Sequence, residues 1–304
     1  MEATQGDIQA LEYEIFKNLK YNLSTLRLLS ASIVVAFSGA CRLHISFLML
    51  DIEPNLIIYL AGFLIIYATY TLDRSSGCKE DRINRRELNS SNKLIAILIS
   101  VLAFSAGAYL FAQFDLLFVA FLPFLIGYIY SNGMQLSTYS LKIKGNLGIK
   151  NLVVALTWGI SIAAIAQHWS RDAIALFSIF SFFTIKSFIN TIIYDFRDVE
   201  GDAIAGLKTL PIYWGEKKAK NILQILHHSL HFWIFIAMLF FISSQFIILF
   251  TCWLAGLIYI SFLAKPAGGI EPRARKVARD ILVDGEFILA VCLKMAFDFL
   301  LLAI

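Results

Sequence analysis

Charge is scarce in this 304-residue chain: Asp, Glu, Lys and Arg together make up 16% of it, against 59% apolar residues and a mean hydropathy of +0.72. A soluble domain of this size does not carry that balance, so the bilayer is the expected solvent. Paired cysteines are missing too. Cys41, Cys78, Cys252 and Cys292 stand alone, with neither a CxxC pair nor zinc-ligand spacing, and no disulfide or zinc framework follows. Three of them read as small apolar fillers in spans, and Cys78 as a loop residue. The first twenty residues lack a basic n-region with an apolar core, carrying Glu2, Asp7, Glu12 and Glu14 instead, so no cleavable signal peptide is expected.

What the chain does have is long apolar runs. A hydrocarbon core of about 30 Å takes about 20 apolar residues per helix. Nine runs qualify: Leu23–Ala40, Leu56–Leu72, Leu94–Ala112, Leu116–Tyr130, Leu152–Ala166, Ala173–Tyr194, Ile222–Ile242, Phe246–Ala264 and Ile281–Ile304. The expected fold is an all-α integral membrane protein, a bundle of nine transmembrane helices forming one polytopic domain over residues 1–304. Pro123 predicts a kink in the fourth span. Over residues 1–21, Ile8, Leu11, Ile15, Phe16 and Leu19 recur at helical spacing between charges, which predicts an amphipathic helix on the membrane surface before the first span.

Basic residues are nearly absent from one set of loops. The N-terminus and the loops after spans two, four, six and eight hold almost all loop Lys and Arg, whereas the opposite loops hold only Arg42 and Arg171. The positive-inside rule then predicts a cytoplasmic N-terminus, an integral multi-pass protein, and basic loops that face the cytoplasmic leaflet. A net charge of +4 spent on anionic lipid and on whatever anion is bound there gives no reason to expect nucleic acid as a partner.

Two acidic segments lie on that same side, TLDRSSGCKEDRINRRE within 73–93 and IIYDFRDVEGDAIAGLKTLPIYWG within 195–217. Asp195, Asp198 and Asp202 stand at i, i+3 and i+7, which on a helix puts three carboxylates on one face. Carboxylates crowded this way repel unless a cation sits between them, and Mg²⁺ bound through a few carboxylates and substrate phosphates is the usual resolution. Asp73 and Glu80 repeat the seven-residue spacing, with Asp81 beside them and Asn84 on nearly the same face. Arg74, Arg197, Lys208, Lys142 and Lys144 accompany the acids. Acids for metal and cations for phosphate are what a diphosphate leaving group needs.

At these residues the chain resembles the UbiA superfamily of intramembrane prenyltransferases. YDFRDVEGD followed by KTLP is similar to the family's second aspartate motif, and SNGMQLSTYSLKIKGNLGIKNL is similar to the segment after its fourth helix. The first motif departs from the family's N-D-x-x-D-x-x-x-D: aligned on Asp81-x-x-Asn84, this chain has Asp73 for the Asn, Arg74 for the first Asp and Gly77 for the central Asp. The resemblance implies a helical bundle with a cavity open to lipid and two Mg²⁺ ions. It also implies transfer of an isoprenoid from a prenyl diphosphate to a hydrophobic aromatic or lipid acceptor. Asp73, Asp81, Asp195, Asp198 and Asp202 would be the catalytic acids, with Glu80 joining them as a metal ligand.

Within the spans, charged or strongly polar groups point inward as a rule. Lys186, Asn190 and Tyr194 form an i, i+4, i+8 stripe leading from the second acidic segment, fit to hold the diphosphate or orient the acceptor. Arg27 either reaches the diphosphate or snorkels. Asp284 and Glu286 also fall in a span, and Lys294 and Asp298 are spaced as an internal ion pair. His227 and His231 share a helical face and read as interface residues rather than metal ligands. Glu271-Pro-Arg-Ala-Arg-Lys reads as a basic loop at the headgroups, with closure over the site as the lesser reading. Two rival functions remain beside the prenyltransferase: a terpene cyclase on the same scaffold, needing no acceptor, and a transporter or lipid-binding protein that uses the acids for ions.

Overall fold

The computed structural model describes residues 5–76, 91–132, 134–136, 139–141, 148–204, 206, 208–266 and 271–302, with side chains described from 22 to 75, from 91 to 126 and from 148 onward within those ranges. Glu80, Asp81 and Asn84 of the first acidic segment, and Lys142 and Lys144, lie outside the described residues. Among the described residues ten α-helices follow in chain order: α1 Gln5–Met49, α2 Leu56–Ser76, α3 Lys93–Ala112, α4 Leu117–Asn132, α5 Ile149–Ala166, α6 Ala173–Ile204, α7 Leu210–Phe240, α8 Phe246–Leu263, α9 Arg273–Arg279 and α10 Glu286–Leu302. Two three-residue strands, β1 Met134–Leu136 and β2 Tyr139–Leu141, pair antiparallel after α4. Asp280–Asp284 forms a π-turn between α9 and α10.

Among the described residues, seven helices are long and apolar enough to cross a membrane: α1 from Asn22, then α2, α3, α5, α6, α7 and α8. The fourth and ninth expected spans correspond to α4, which runs through Pro123, and to α10, only 17 residues long. The expected surface helix is not a separate element, because α1 continues from Gln5 through Met49. That continuity also corrects Arg42, read from sequence as a loop residue. It sits inside α1, 6% exposed, its guanidinium 4.2 Å from the Trp158 ring centroid and 4.4 Å from that of Phe287, and Nη1 donates to Ser187 Oγ at 2.6 Å. Aromatic faces and one hydroxyl make a buried guanidinium tolerable there.

Side-chain size sorts the helix faces. On α3 the buried positions are Ala96, Ser100, Ala103, Gly107, Ala108 and Phe111, whereas Leu94, Leu98, Val101 and Leu102 face outward. Lipid is as apolar as leucine, so small residues at the helix contacts gain close packing while large ones are left to the bilayer. Helix α2 packs on α3 and on α1, and α5 packs on α6. At that last contact a Cβ on Gly159 would lie 2.9 Å from the Phe180 carbonyl oxygen and closer still to Thr184 Oγ1, so only glycine admits this approach. Helix starts are capped from their own sequence: Asn92 Oδ1 accepts from the Ile95 amide at 3.1 Å, and Asp172 Oδ1 accepts from the Ile174 and Ala175 amides at 2.8 and 3.0 Å, each satisfying orphan donors.

The apolar core falls into two clusters. One, around Phe47, Phe111, Phe182 and Phe287, holds the body of the bundle. The other, with Ile189, Ile193, Phe196, Leu223 and Val283, lies toward the end of α6 that carries the acids. Helix α6 has 32 residues, about 48 Å of rise against a hydrocarbon core of about 30 Å. Its last turns therefore project beyond the hydrocarbon core while staying packed within the protein.

Candidate active site

Those projecting turns carry the second acidic motif. The segment read as a loop is helical through Ile204, and after Thr209 the chain is helical again in α7, with a kink at Gly215. Asp195 and Asp202, two turns apart on one face, are 4% and 1% exposed. Asp195 Oδ2 accepts from Asn151 Nδ2 at 2.8 Å, and it also feels the charges of Lys150, Asp202 and Asp198. Asp198 is turned aside: Arg197 Nε and Nη2 donate to its two oxygens, both at 2.5 Å. Asn151 was not singled out from sequence, although a lone amide in the first turn of an apolar helix was the available signal.

The first motif is described as far as Ser76. Asp73, exposed, and Arg74 occupy the last turn of α2. Arg74 reaches inward, its Nη1 donating to Ser32 Oγ at 2.8 Å with the guanidinium 5.7 Å from the Tyr70 ring centroid. Arg27 and Lys208 are exposed. Among the described residues no three His, Cys, Asp or Glu side chains are grouped so as to hold a metal by themselves. The donors present are nevertheless the right kind for Mg²⁺: Asp195 and Asp202 offer hard carboxylate oxygens withdrawn from solvent on one face, and such a site is ordinarily completed by substrate phosphates.

The expected stripe assembles, but on other partners, and Lys186 is corrected as a diphosphate ligand. Its side chain and that of Glu286 are both 0% exposed and form an ion pair. Nζ also donates to Tyr259 Oη at 3.0 Å and to the Cys252 carbonyl at 3.3 Å. Asn190 Oδ1 accepts from Tyr259 Oη at 2.9 Å. Tyr194 Oη donates to Asp284 Oδ2 at 2.5 Å. The stripe thus ties α6 to α8, the π-turn and α10, and its one cation is already neutralised. His227 and His231 are likewise interior, at 0% and 5% exposure, not at the interface: their rings lie 4.3 Å apart, and His227 Nε2 bonds the Trp253 carbonyl oxygen at 2.9 Å. The expected Lys294–Asp298 pair is present, at 2.5 Å.

A third segment reaches the same end of the bundle. Glu271 forms ion pairs with Arg275 at 3.5 Å and with Arg279. Arg279 is 2% exposed and stands 5.5 Å from the Tyr194 ring centroid, with Arg197 at 5.0 Å from the same ring. Burial, and then the like charge of Arg197, hold the Arg279 guanidinium below the usual arginine range, while Tyr194, Asp198 and Asp280 act the other way.

Known proteins share this helical bundle. The model of the UbiA prenyltransferase family matches residues 28–280. The chain belongs to that family. UbiA homologues also share its fold: one from Archaeoglobus fulgidus, bound to DMAPP and Mg²⁺, superposes with a TM-score of 0.59 at 15% identity over 90% of this chain and 99% of that one. The same homologue bound to GPP and Mg²⁺ gives 0.60. A digeranylgeranylglyceryl phosphate synthase structure gives 0.53 at 18% identity, covering 92% of this chain and 97% of that one. By sequence the chain is 35% identical over 94 residues to the digeranylgeranylglyceryl phosphate synthase of Methanopyrus kandleri, a match covering 31% of this chain and 34% of that relative. The match thus spans about a third of that curated relative.

Proposed function

We propose that this UbiA-family chain is a Mg²⁺-dependent intramembrane prenyltransferase that moves an isoprenoid from its diphosphate to a hydrophobic aromatic or lipid acceptor. The observation that carries the reading is the pair of buried carboxylates, Asp195 and Asp202, toward the end of α6, with the charge of Lys150 acting on Asp195. Buried acids are costly unless a cation or hydrogen bonds compensate. The Mg²⁺-bound and prenyl-diphosphate-bound state of the Archaeoglobus homologue supports the ligand class, and the name of the Methanopyrus relative supports a lipid acceptor.

In this reading Asp195 and Asp202 would hold Mg²⁺, with Asp73 in the last turn of α2 and Glu80 and Asp81 as the further ligands the sequence offers. The metal supplies neutralisation of the charge that grows on the diphosphate as the allylic C–O bond breaks. Asn151 fixes the Asp195 carboxylate so that its free oxygen faces the ligand. Arg74, Arg197 and Lys208 hold the remaining phosphate oxygens by charge-assisted hydrogen bonds. Aromatic side chains of the bundle exclude water from the allylic cation until the acceptor captures it. The acid-bearing end faces the cytoplasm under the positive-inside rule.

Product analysis tests this. Purified protein with Mg²⁺ and C10 to C20 prenyl diphosphates, with and without membrane lipid extract, should release diphosphate and form a prenylated lipid only when extract is present. Release without extract together with a cyclic hydrocarbon would replace the transferase with a cyclase. No release under any condition would leave binding or transport.

A further inference from the structure

The starts of α5 and α7 meet beside the acids of α6, and neither is closed by a side chain. Elsewhere in the chain, side-chain oxygens of Asn55, Asn92 and Asp172 accept from first-turn amides of α2, α3 and α6. Helix α5 instead begins after Gly148, which has no side chain to offer, and α7 after Thr209, whose hydroxyl makes no capping bond. The first amides of a helix have no partner within it, so both starts present donors at the positive end of a helix dipole.

Printed contacts lead from one start to the other. Asn151, in the first turn of α5, spends its side chain on Asp195 at 2.8 Å, and the charge of Lys150 acts on the same carboxylate. Gly148 has a φ of 70°, a left-handed conformation that favours glycine, and a Cβ there would touch the Leu210 side chain at 3.5 Å. Leu210 is the first residue of α7, directly after Thr209. Gly148 and Ile149 are partly exposed and Lys150 and Lys208 exposed, so the junction is open to water.

Thr209 carries a second and independent mark of a ligand. It is 6% exposed, and its Oγ1, standing at the start of α7, has no hydrogen-bond partner. A threonine in this place normally accepts from an amide two or three residues on, but two residues on is Pro211, which has no N–H. A buried hydroxyl left unpaired is costly. Helix starts are ready-made anion sites, and a hydroxyl proton beside them completes a set of donors suited to phosphate oxygens.

We infer that Thr209 and the start of α5 form a junction that binds the terminal phosphate of the prenyl diphosphate through neutral donors, the Thr209 hydroxyl and the backbone amides that follow Gly148. The inference rests on the diphosphate reading above. Donors without charge grip phosphate and leave the carboxylates of Asp195 and Asp202 to the metal.

Binding measured without turnover tests it. Geranyl S-thiolodiphosphate, whose C–S bond ionises poorly, is titrated with Mg²⁺ against the full-length protein in detergent. Thr209→Val keeps the shape and removes the hydroxyl, so affinity should fall about tenfold to a hundredfold, as for a lost hydrogen bond to a charged group, and Thr209→Ser should recover most of it. Thr157→Val, which removes a hydroxyl bonded to its own helix at Val153, should bind as wild type does. Gly148→Asp should bind at least tenfold more weakly than Gly148→Asn, because both residues tolerate a positive φ and differ in charge. Inorganic diphosphate should show the same order, since the contact is to phosphate. A wild-type protein that binds neither ligand would overturn the diphosphate reading and this inference with it. Folded Thr209→Val with wild-type affinity, or equal affinity in the two Gly148 variants, would overturn this inference alone; the first, with a lower unfolding midpoint, would reduce Thr209 to a structural residue. If Thr209→Val does not fold, the Gly148 pair decides on the same terms.

Discussion

The Lys186–Glu286 pair is the sharpest place to perturb the bundle, because both side chains are fully buried and the energetics depend on how the pair is broken. Lys186→Met strands a carboxylate in the interior. Removing one partner of a buried ion pair costs about 3–5 kcal/mol, two to three and a half orders of magnitude in the unfolding equilibrium. Replacing both partners at once, as Lys186→Met with Glu286→Met, removes the charges together and is expected to fall within about 2 kcal/mol of wild type. Tyr259 keeps its hydrogen bond to Asn190 in either variant, which limits the collateral loss. The assay is denaturant unfolding in detergent followed by tryptophan fluorescence, alongside Mg²⁺-dependent binding of geranyl S-thiolodiphosphate, a poorly ionising prenyl diphosphate analogue. The single variant should lose stability, and the double variant should regain it with analogue affinity unchanged. A Lys186→Met protein as stable as wild type but deficient in diphosphate binding would refute the reasoning and return Lys186 to the substrate.

Three other predictions separate the remaining assignments. Glu80→Ala should raise the Mg²⁺ requirement for turnover, and Gly77→Asp in that background should partly restore it; an unchanged Mg²⁺ titration would show that the first segment holds phosphate through Arg74 alone. Gly159→Leu should cost at least about 3 kcal/mol by forcing α5 from α6, read by the same unfolding titration, and near-neutral behaviour would contradict the packing at Phe180 and Thr184. A cysteine placed at Gly206 should be labelled by a membrane-impermeant thiol reagent only from the cytoplasmic side, and labelling from the opposite side in intact cells would reverse the orientation.

Which parts of this were legible in the sequence follows from what spacing encodes. Run length and the absence of charge gave the helical membrane class, and YDFRDVEGD gave the family, because both are local signals. The i, i+7 relation of Asp195 and Asp202 was readable as well, and the two share a buried face. Spacing does not name partners from distant helices. Lys186, Asn190 and Tyr194 were seen as a stripe, yet the groups that occupy them, Tyr259, Asp284 and Glu286, lie 69 to 100 residues further on. Arg42 was misplaced because a guanidinium ends an apolar run when only hydropathy is counted; Trp158, Ser187 and Phe287, supplied by α5, α6 and α10, are what let the run continue to Met49. Arg279 was hidden in a basic stretch whose Arg273 and Lys276 face outward, and spacing alone does not separate it from them.

The central claim is that the end of α6 binds Mg²⁺ through Asp195 and Asp202 to ionise a prenyl diphosphate. The most direct test is the Mg²⁺ dependence of diphosphate release by wild type, Asp195→Asn and Asp202→Asn, each confirmed folded by its unfolding midpoint. Each substitution keeps the shape and removes the charge that holds the metal, so release at limiting Mg²⁺ should fall at least about a hundredfold, with partial recovery as Mg²⁺ is raised. Wild-type release that persists unchanged in both variants at limiting Mg²⁺ would contradict the claim.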